Sequence, residues 1–239
     1  MKEQTFFSSL REKMTMPVRR KAFLKYTAMS GAVVALGLES CHKSNSGGGT
    51  SGTTDVGGGD TGILNFAYAL EQLEAAFYTQ VNASFYTNAS PAEKAVLQDI
   101  MNHEIAHRDF FKAALGSKAI PALKPDFSSI DFTSRTSVLA TAKAFEDLGV
   151  SAYNGAGQYI TSSEYLTIAG KIVSVEARHA AAIRDLINPG SGDFAGDDVV
   201  SPTTGLDFSR TPNSTTGGAS IVATANIYLV TRISATQLP

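Results

Sequence analysis

The stretch Ile172–Leu186, IVSVEARHAAAIRDL, decides how the rest of the chain is read. Glu176 and His179 stand one helical turn apart on the stripe that also carries Ile172, Ile183 and Leu186, so a carboxylate and an imidazole point inward together. Burying an uncompensated ionised group costs several kcal/mol. An inward Glu-x-x-His therefore demands a charge partner, and a metal ion is the partner that carboxylate oxygen and imidazole nitrogen share.

Working outward, the same spacing recurs at Glu104-x-x-His107, and two further acids, Glu71 and Glu146, each precede a tyrosine by seven residues, Tyr78 and Tyr153. Four amphipathic segments carry these groups. The first runs from about Ile63 to Ala83. The second is capped by Ser90, with Pro91 and a Glu93 capping box, and stops at Gly116. The third covers about Ser134 to Ile160. The fourth opens on Thr161 and Glu164 in a box-like spacing and ends before Asn188-Pro189-Gly190.

The links between helices one and two and between three and four are short, so each pair is expected as an antiparallel hairpin. Residues 117–133 are different. Extended, they reach about 55 Å against roughly 37 Å for helix two, enough for a crossover along the whole bundle. Register can be worked from the helical rise. Glu71 lies about 18 Å before the first turn and Glu104 about 21 Å after it, while Glu146 and Glu176 lie about 22 and 21 Å from theirs. The order Glu, Glu-x-x-His, Glu, Glu-x-x-His thus comes to one level, as in a carboxylate dimetal site in a bundle core. Four carboxylates and two neutral imidazoles cancel two divalent ions, and oxygen and nitrogen donors suit iron best, with manganese or zinc open.

Composition narrows the rest. A chain of 239 residues, 43% hydrophobic and 18% charged, can bury one sizeable core, so one domain with tails is expected. A net charge of −2 offers no field for phosphate backbones, and nucleic acid is not an expected partner. Cys41 is the only cysteine, which removes intrachain disulfides and thiolate metal sites from consideration.

Residues 1–40 read as an export signal: Arg19, Arg20, Lys21 and Lys25 precede an apolar run from Ala28 to Leu38 that is too short for a membrane anchor. The string Arg20-Lys21-Ala22-Phe23-Leu24-Lys25 is similar to a twin-arginine signal, with Lys21 in the second arginine place, so the ordinary secretory route stays open. Translation can start at Met1, Met14 or Met16. Leu38-Glu39-Ser40-Cys41 resembles a lipobox, which makes Cys41 the expected lipidation site and the protein a cell-envelope lipoprotein or a periplasmic one. Residues 41–62 form a Gly/Ser-rich linker with only Val56 to bury, a coil of roughly 25 Å reach.

Residues 63–188 resemble the ferritin-like domain family of exported bacterial proteins related to desiccation-associated proteins, through LEQLEAAFY, HEIAH, FEDLGVSAYNGA and VEARHAA. The resemblance implies an all-α, ferritin-like four-helix bundle holding two metals through Glu71, Glu104, His107, Glu146, Glu176 and His179. Glu74, one turn from Glu71, is the alternative ligand on helix one; Tyr78 and Tyr153 are expected to donate to the carboxylates from behind. With metal ions and oxygen or peroxide as partners, the expected activity is that of a ferroxidase, oxidase or peroxide-consuming stress protein. A homodimer is left open.

Two other classes compete. A stress or surface protein that holds metal without catalysis needs the same residues. A zinc metalloprotease would instead use His103-Glu104-Ile105-Ala106-His107, with Glu104 as general base, and would leave Glu176 and His179 without a role. After Gly190 the helical pattern breaks. The extension 189–239 is expected to be irregular, with Phe194, Leu206 and Phe208 as anchors on the bundle. Asp193, Asp197 and Asp198 read as a solvated loop or a calcium site, and Ala219 to Ala235 as one more helix or strand.

Overall fold

Local chemistry sets most of the helix ends. The computed structural model describes residues 52–200, 209–215 and 219–239. The export signal over residues 1–40, Cys41 with its lipidation, the linker as far as residue 51, and the anchors Leu206 and Phe208 lie outside the described residues. Helix α1 spans Gly59–Ala83, α2 Pro91–Leu115, α3 Arg135–Gly157 and α4 Ser163–Ile187. At α2 the capping box is complete: Ser90 Oγ accepts from the Glu93 amide at 3.2 Å and Glu93 Oε2 accepts from the Ser90 amide at 2.7 Å. Gly116 closes the helix at φ 54°, a conformation that costs a glycine little.

Three boundaries differ from the sequence-based expectation. Helix α1 begins at Gly59 and not at Ile63, because its first turn has tertiary work: the Asp60 carboxylate accepts from the Thr161 and Ser162 amides at 2.8 and 2.9 Å. That contact also engages the Thr161 hydroxyl, so α4 is capped by Ser162, whose Oγ accepts from the Tyr165 amide, and not by Thr161. Helix α3 ends at Gly157, where Tyr159 and Ile160 turn back onto Ala156 and Gly157.

Two pairs of contacts fix the helix directions. Tyr153 bonds Glu71 and Tyr78 bonds Glu146, which requires α1 and α3 to run antiparallel. His107 meets Glu176 and His179 meets Glu104, which requires the same of α2 and α4. The link between α2 and α3 therefore crosses the bundle from end to end. It is held to α1 along the way: the Ile120 amide donates to Asn65 Oδ1 at 2.9 Å and the Leu123 amide to Gln72 Oε1 at 2.8 Å. Near its end the Thr87 amide donates to the Thr133 carbonyl at 3.0 Å. Phe127 and Phe132 seat it on Phe77 in the core, with ring centroids 6.0 and 5.9 Å apart.

The last part of the linker joins the fold. Thr54–Asp55 (β1) pairs in parallel with Ile233–Ser234 (β2), and Val56 is buried. The C-terminal segment supplies both element types: a short helix, Ile221–Ala225 (α5), and then β2. Phe194 is 57% exposed and is not an anchor. Ion pairing holds that segment instead, since Arg184 meets both Asp198 and Asp147 at 2.6 Å. Asp193 accepts from Asn188, so two of the three acids are engaged by the protein and the trio forms no metal-capable group among the described residues. No described helix is long and apolar enough to cross a membrane.

Candidate metal centre

The inward stripes of all four helices meet at one level. Glu71 and Glu74 come from α1, Glu104 and His107 from α2, Glu146 from α3, and Glu176 and His179 from α4. Glu71, Glu104, Glu146 and Glu176 have no solvent exposure, and Glu74 and His179 are nearly as buried. His107 keeps 12% of its side chain exposed, so the centre approaches solvent on the side of α2 and α4.

The six side chains singled out by their spacing form two overlapping groups able to hold a metal ion. One comprises Glu71, Glu104, His107 and Glu176; the other comprises Glu104, Glu146, Glu176 and His179. Around His107 Nδ1 lie Glu176 Oε1 at 2.9 Å, Glu71 Oε2 at 3.4 Å and Glu104 Oε2 at 3.5 Å. Around His179 Nδ1 lie Glu104 Oε1 at 2.7 Å, Glu146 Oε2 at 3.4 Å and Glu176 Oε2 at 3.8 Å. Glu104 and Glu176 thus send one oxygen to each imidazole. Donors about 2.1 Å from a shared ion and at right angles to one another lie about 3.0 Å apart, toward the short end of this range.

These contacts are close without being aligned as hydrogen bonds. Glu71 Oε2, both oxygens of Glu104 and of Glu176, Glu146 Oε2, His107 Nδ1 and His179 Nδ1 are buried and lack a hydrogen-bond partner. The outer atoms are satisfied. Tyr153 Oη donates to Glu71 Oε1 and Tyr78 Oη to Glu146 Oε1, so each tyrosine takes one oxygen and leaves the other facing the centre. His179 Nε2 lies 2.8 Å from His103 Nδ1, which fixes the ring from outside.

Charge crowding shows in the titration of the metal-free groups. Burial, with Glu176 adding, holds Glu71 well above the usual carboxylate range; the same causes act on Glu74. Burial pushes Glu146 up to about 8, Glu104 and Glu176 adding to it against the opposing His179. Burial also disfavours the charged forms of Glu104 and the two imidazoles, but their mutual contacts outweigh it: Glu104 is held down to about 2, and His107 and His179 are pushed up to about 12. Metal ions placed among these groups would have to displace those protons.

Glu74 belongs to neither group. Its Oε1 would lie 3.2 Å from a Cβ at Gly149, whose bare Cα leaves the room. His103 is exposed and faces His179, not the His107 centre, so His103 and His107 do not converge as a zinc protease pair. The ring contact of His103 was visible in the sequence only as adjacency to Glu104. The role of Gly149 had no local signal, since it depends on a carboxylate from another helix.

Four helices that aim buried carboxylates and imidazoles at one point define a helical bundle whose core carries side chains able to hold metal. The model of the ferritin-like domain matches residues 59–189, and the chain belongs to that family. No curated protein matches the chain.

Proposed function

We propose that the six side chains ligate two divalent metal ions, with iron the best fit, and that the loaded protein consumes dioxygen or hydrogen peroxide. In this reading Glu71 and His107 would hold one ion, Glu146 and His179 the other, and Glu104 and Glu176, which belong to both groups, would serve both. The observation that carries it is the set of eight buried donor atoms without hydrogen-bond partners, all on these six residues. Buried acceptors with no donors need cations. With Glu74 the core holds five carboxyl groups against two imidazoles, so without metal most of the carboxyls must hold protons, which two divalent ions would displace.

Bound iron or manganese would supply electron exchange with dioxygen or peroxide. The chain's own residues do the rest. Tyr78 and Tyr153 orient the terminal carboxylates by holding their outer oxygens, and His103 orients His179 so that Nδ1 faces the centre. The buried helix stripes keep water away, and His107 marks the polar approach for ions.

Elemental analysis of the purified protein, followed by oxygen uptake on adding ferrous iron to the metal-stripped form, tests this. About two ions per chain and uptake in proportion to iron are expected. Failure to bind metal in titration overturns the reading. Metal that binds while neither dioxygen nor peroxide is consumed leaves a non-catalytic metal protein. Residues 1–40 and Cys41 support an exported, lipid-tethered protein, and labelling with radioactive palmitate in wild type but not in Cys41→Ser is the corresponding check.

A further inference from the structure

A second feature of the core lies beside the centre and has the opposite chemistry. A cavity of ≈ 20 Å³ sits between the four helices at the end of the bundle where α1 begins and α3 ends. Its lining includes Ala67, Leu70, Phe110, Phe111, Tyr153 and Ala156, and no charged or amide side chain contributes. Of its two tyrosines, Tyr153 already commits its hydroxyl to Glu71. Leu70 adjoins Glu71, Ala67 lies one turn before it, and Phe111 lies one turn beyond His107, so the cavity comes within about one helical turn, about 5 Å, of the centre's level. On the α2 side of the cavity Phe110, 37% exposed, borders solvent.

From this placement we infer that the cavity is a site for dioxygen on its way to the metal centre, with Tyr153 as the last wall between them. A metal ion or a peroxide molecule entering here would shed water and find no polar atom in exchange. A small apolar gas loses nothing by leaving water, and an apolar cavity stays dry for it. The size agrees. Cavities that take up benzene measure about 150 Å³, whereas this one has room for a diatomic molecule only. The centre therefore has two approaches of different chemistry: a polar one at His107 and an apolar one at Tyr153.

The destination of the route rests on the oxygen-consuming reading, but the site itself can be tested apart from it. Zinc-loaded full-length protein, diamagnetic and without redox chemistry, is placed under dioxygen pressure and its methyl resonances are followed by NMR. Paramagnetic broadening is expected at Ala67, Leu70 and Ala156 well above that at Leu97 and Leu139, which are buried elsewhere in the core. It is expected to vanish in Ala156→Phe, which fills the cavity. In iron-loaded protein the same variant should lower the rate constant with dioxygen at least tenfold and change that with hydrogen peroxide less than twofold. If Ala156→Phe does not fold, Phe110→Ala opens the mouth and should raise the dioxygen rate constant at least twofold with the peroxide rate unchanged. Uniform broadening of all core methyls, or dioxygen rates that neither variant moves, overturns the inference. Selective broadening in a protein that consumes no dioxygen overturns the reading of the centre and leaves an apolar gas site. Oxygen consumption without selective broadening does the reverse.

Discussion

Replacing Glu176 by glutamine separates a metal centre from a buried ion-pair cluster, because in the first the loss of stability appears only when metal is bound. The side chain has no exposure and belongs to both metal-capable groups, with Oε1 2.9 Å from His107 Nδ1 and Oε2 3.8 Å from His179 Nδ1. Glutamine keeps the shape and removes one negative charge. If two ions are bound, each loses one of its four protein groups. Four-ligand sites contribute about 10–16 kcal/mol, so one ligand is worth about 3–4 kcal/mol, or about two to three powers of ten in affinity at each position. At metal concentrations that saturate the wild type, a hundredfold loss removes about 2.7 kcal/mol of stability per ion, or about 5 kcal/mol for two, which for a fold of this size lowers Tm by about 10–20 °C. Without metal the loss is small. Beyond burial, Glu176 helps hold Glu146 up to about 8, so once that charge is gone Glu146 can ionise and take its place against the protonated imidazoles, and the stripped variant should stay within about 1 kcal/mol of the stripped wild type. Thermal melts of both proteins, each with and without metal, settle the matter. A variant that is weaker in the stripped form by more than about 1 kcal/mol, with unchanged metal content, would refute the metal reading, since breaking a buried ion pair alone costs about 3–5 kcal/mol.

Other expected outcomes follow from the same geometry. Metal loading should release protons, because both imidazoles are held protonated up to about 12 and Glu146 up to about 8 in the metal-free centre; affinity measured by competition with a chelator should rise at least about tenfold per pH unit between pH 6 and 8, and a flat or falling profile contradicts it. His103→Ala should lower affinity at the His179 position about 10–100-fold while sparing the His107 position, which stepwise metal titration resolves. Gly155→Ala should destabilise the fold by about 1–3 kcal/mol, read from denaturant melts, because an added Cβ would come to 2.0 Å from the Arg210 carbonyl oxygen and push residues 209–213 off α3.

What could be read from the sequence is what depends on neighbours along the chain. The Ser90 capping box and the Gly116 stop are local devices, and both stand where the sequence puts them. Glu104 with His107 and Glu176 with His179 share helix faces by spacing alone, so their convergence with Glu71 and Glu146 follows from equal distances to the hairpin turns. The Thr161 cap was misread because Asp60, about a hundred residues earlier, engages that hydroxyl. The end of the linker was misread for a similar reason: Gly-rich composition gives no hint that Thr54–Asp55 will find a partner strand near the C-terminus. The apolar cavity had no sequence signal, since its wall is assembled from four helices. Glu71 was distinguished from Glu74 only by the distance to a tyrosine, and that distance matters because Tyr78 and Tyr153 each reach across to the acid of the opposite helix.

Those crossed tyrosine–glutamate bonds give the interior an approximate dyad: each hairpin contributes one rod with glutamate and tyrosine and one with glutamate and histidine, and exchanging the hairpins restores the same set of groups. Where Glu71 answers to Glu146 and Tyr78 to Tyr153, Glu74 answers to Gly149. The symmetry fails there, where the acid on one side fills the room left by the glycine on the other, and again at His103, which backs His179 while Val175 stands at the matching place. Two positions that share ligand types are thereby made unequal, and an incoming molecule meets a centre with a front and a back.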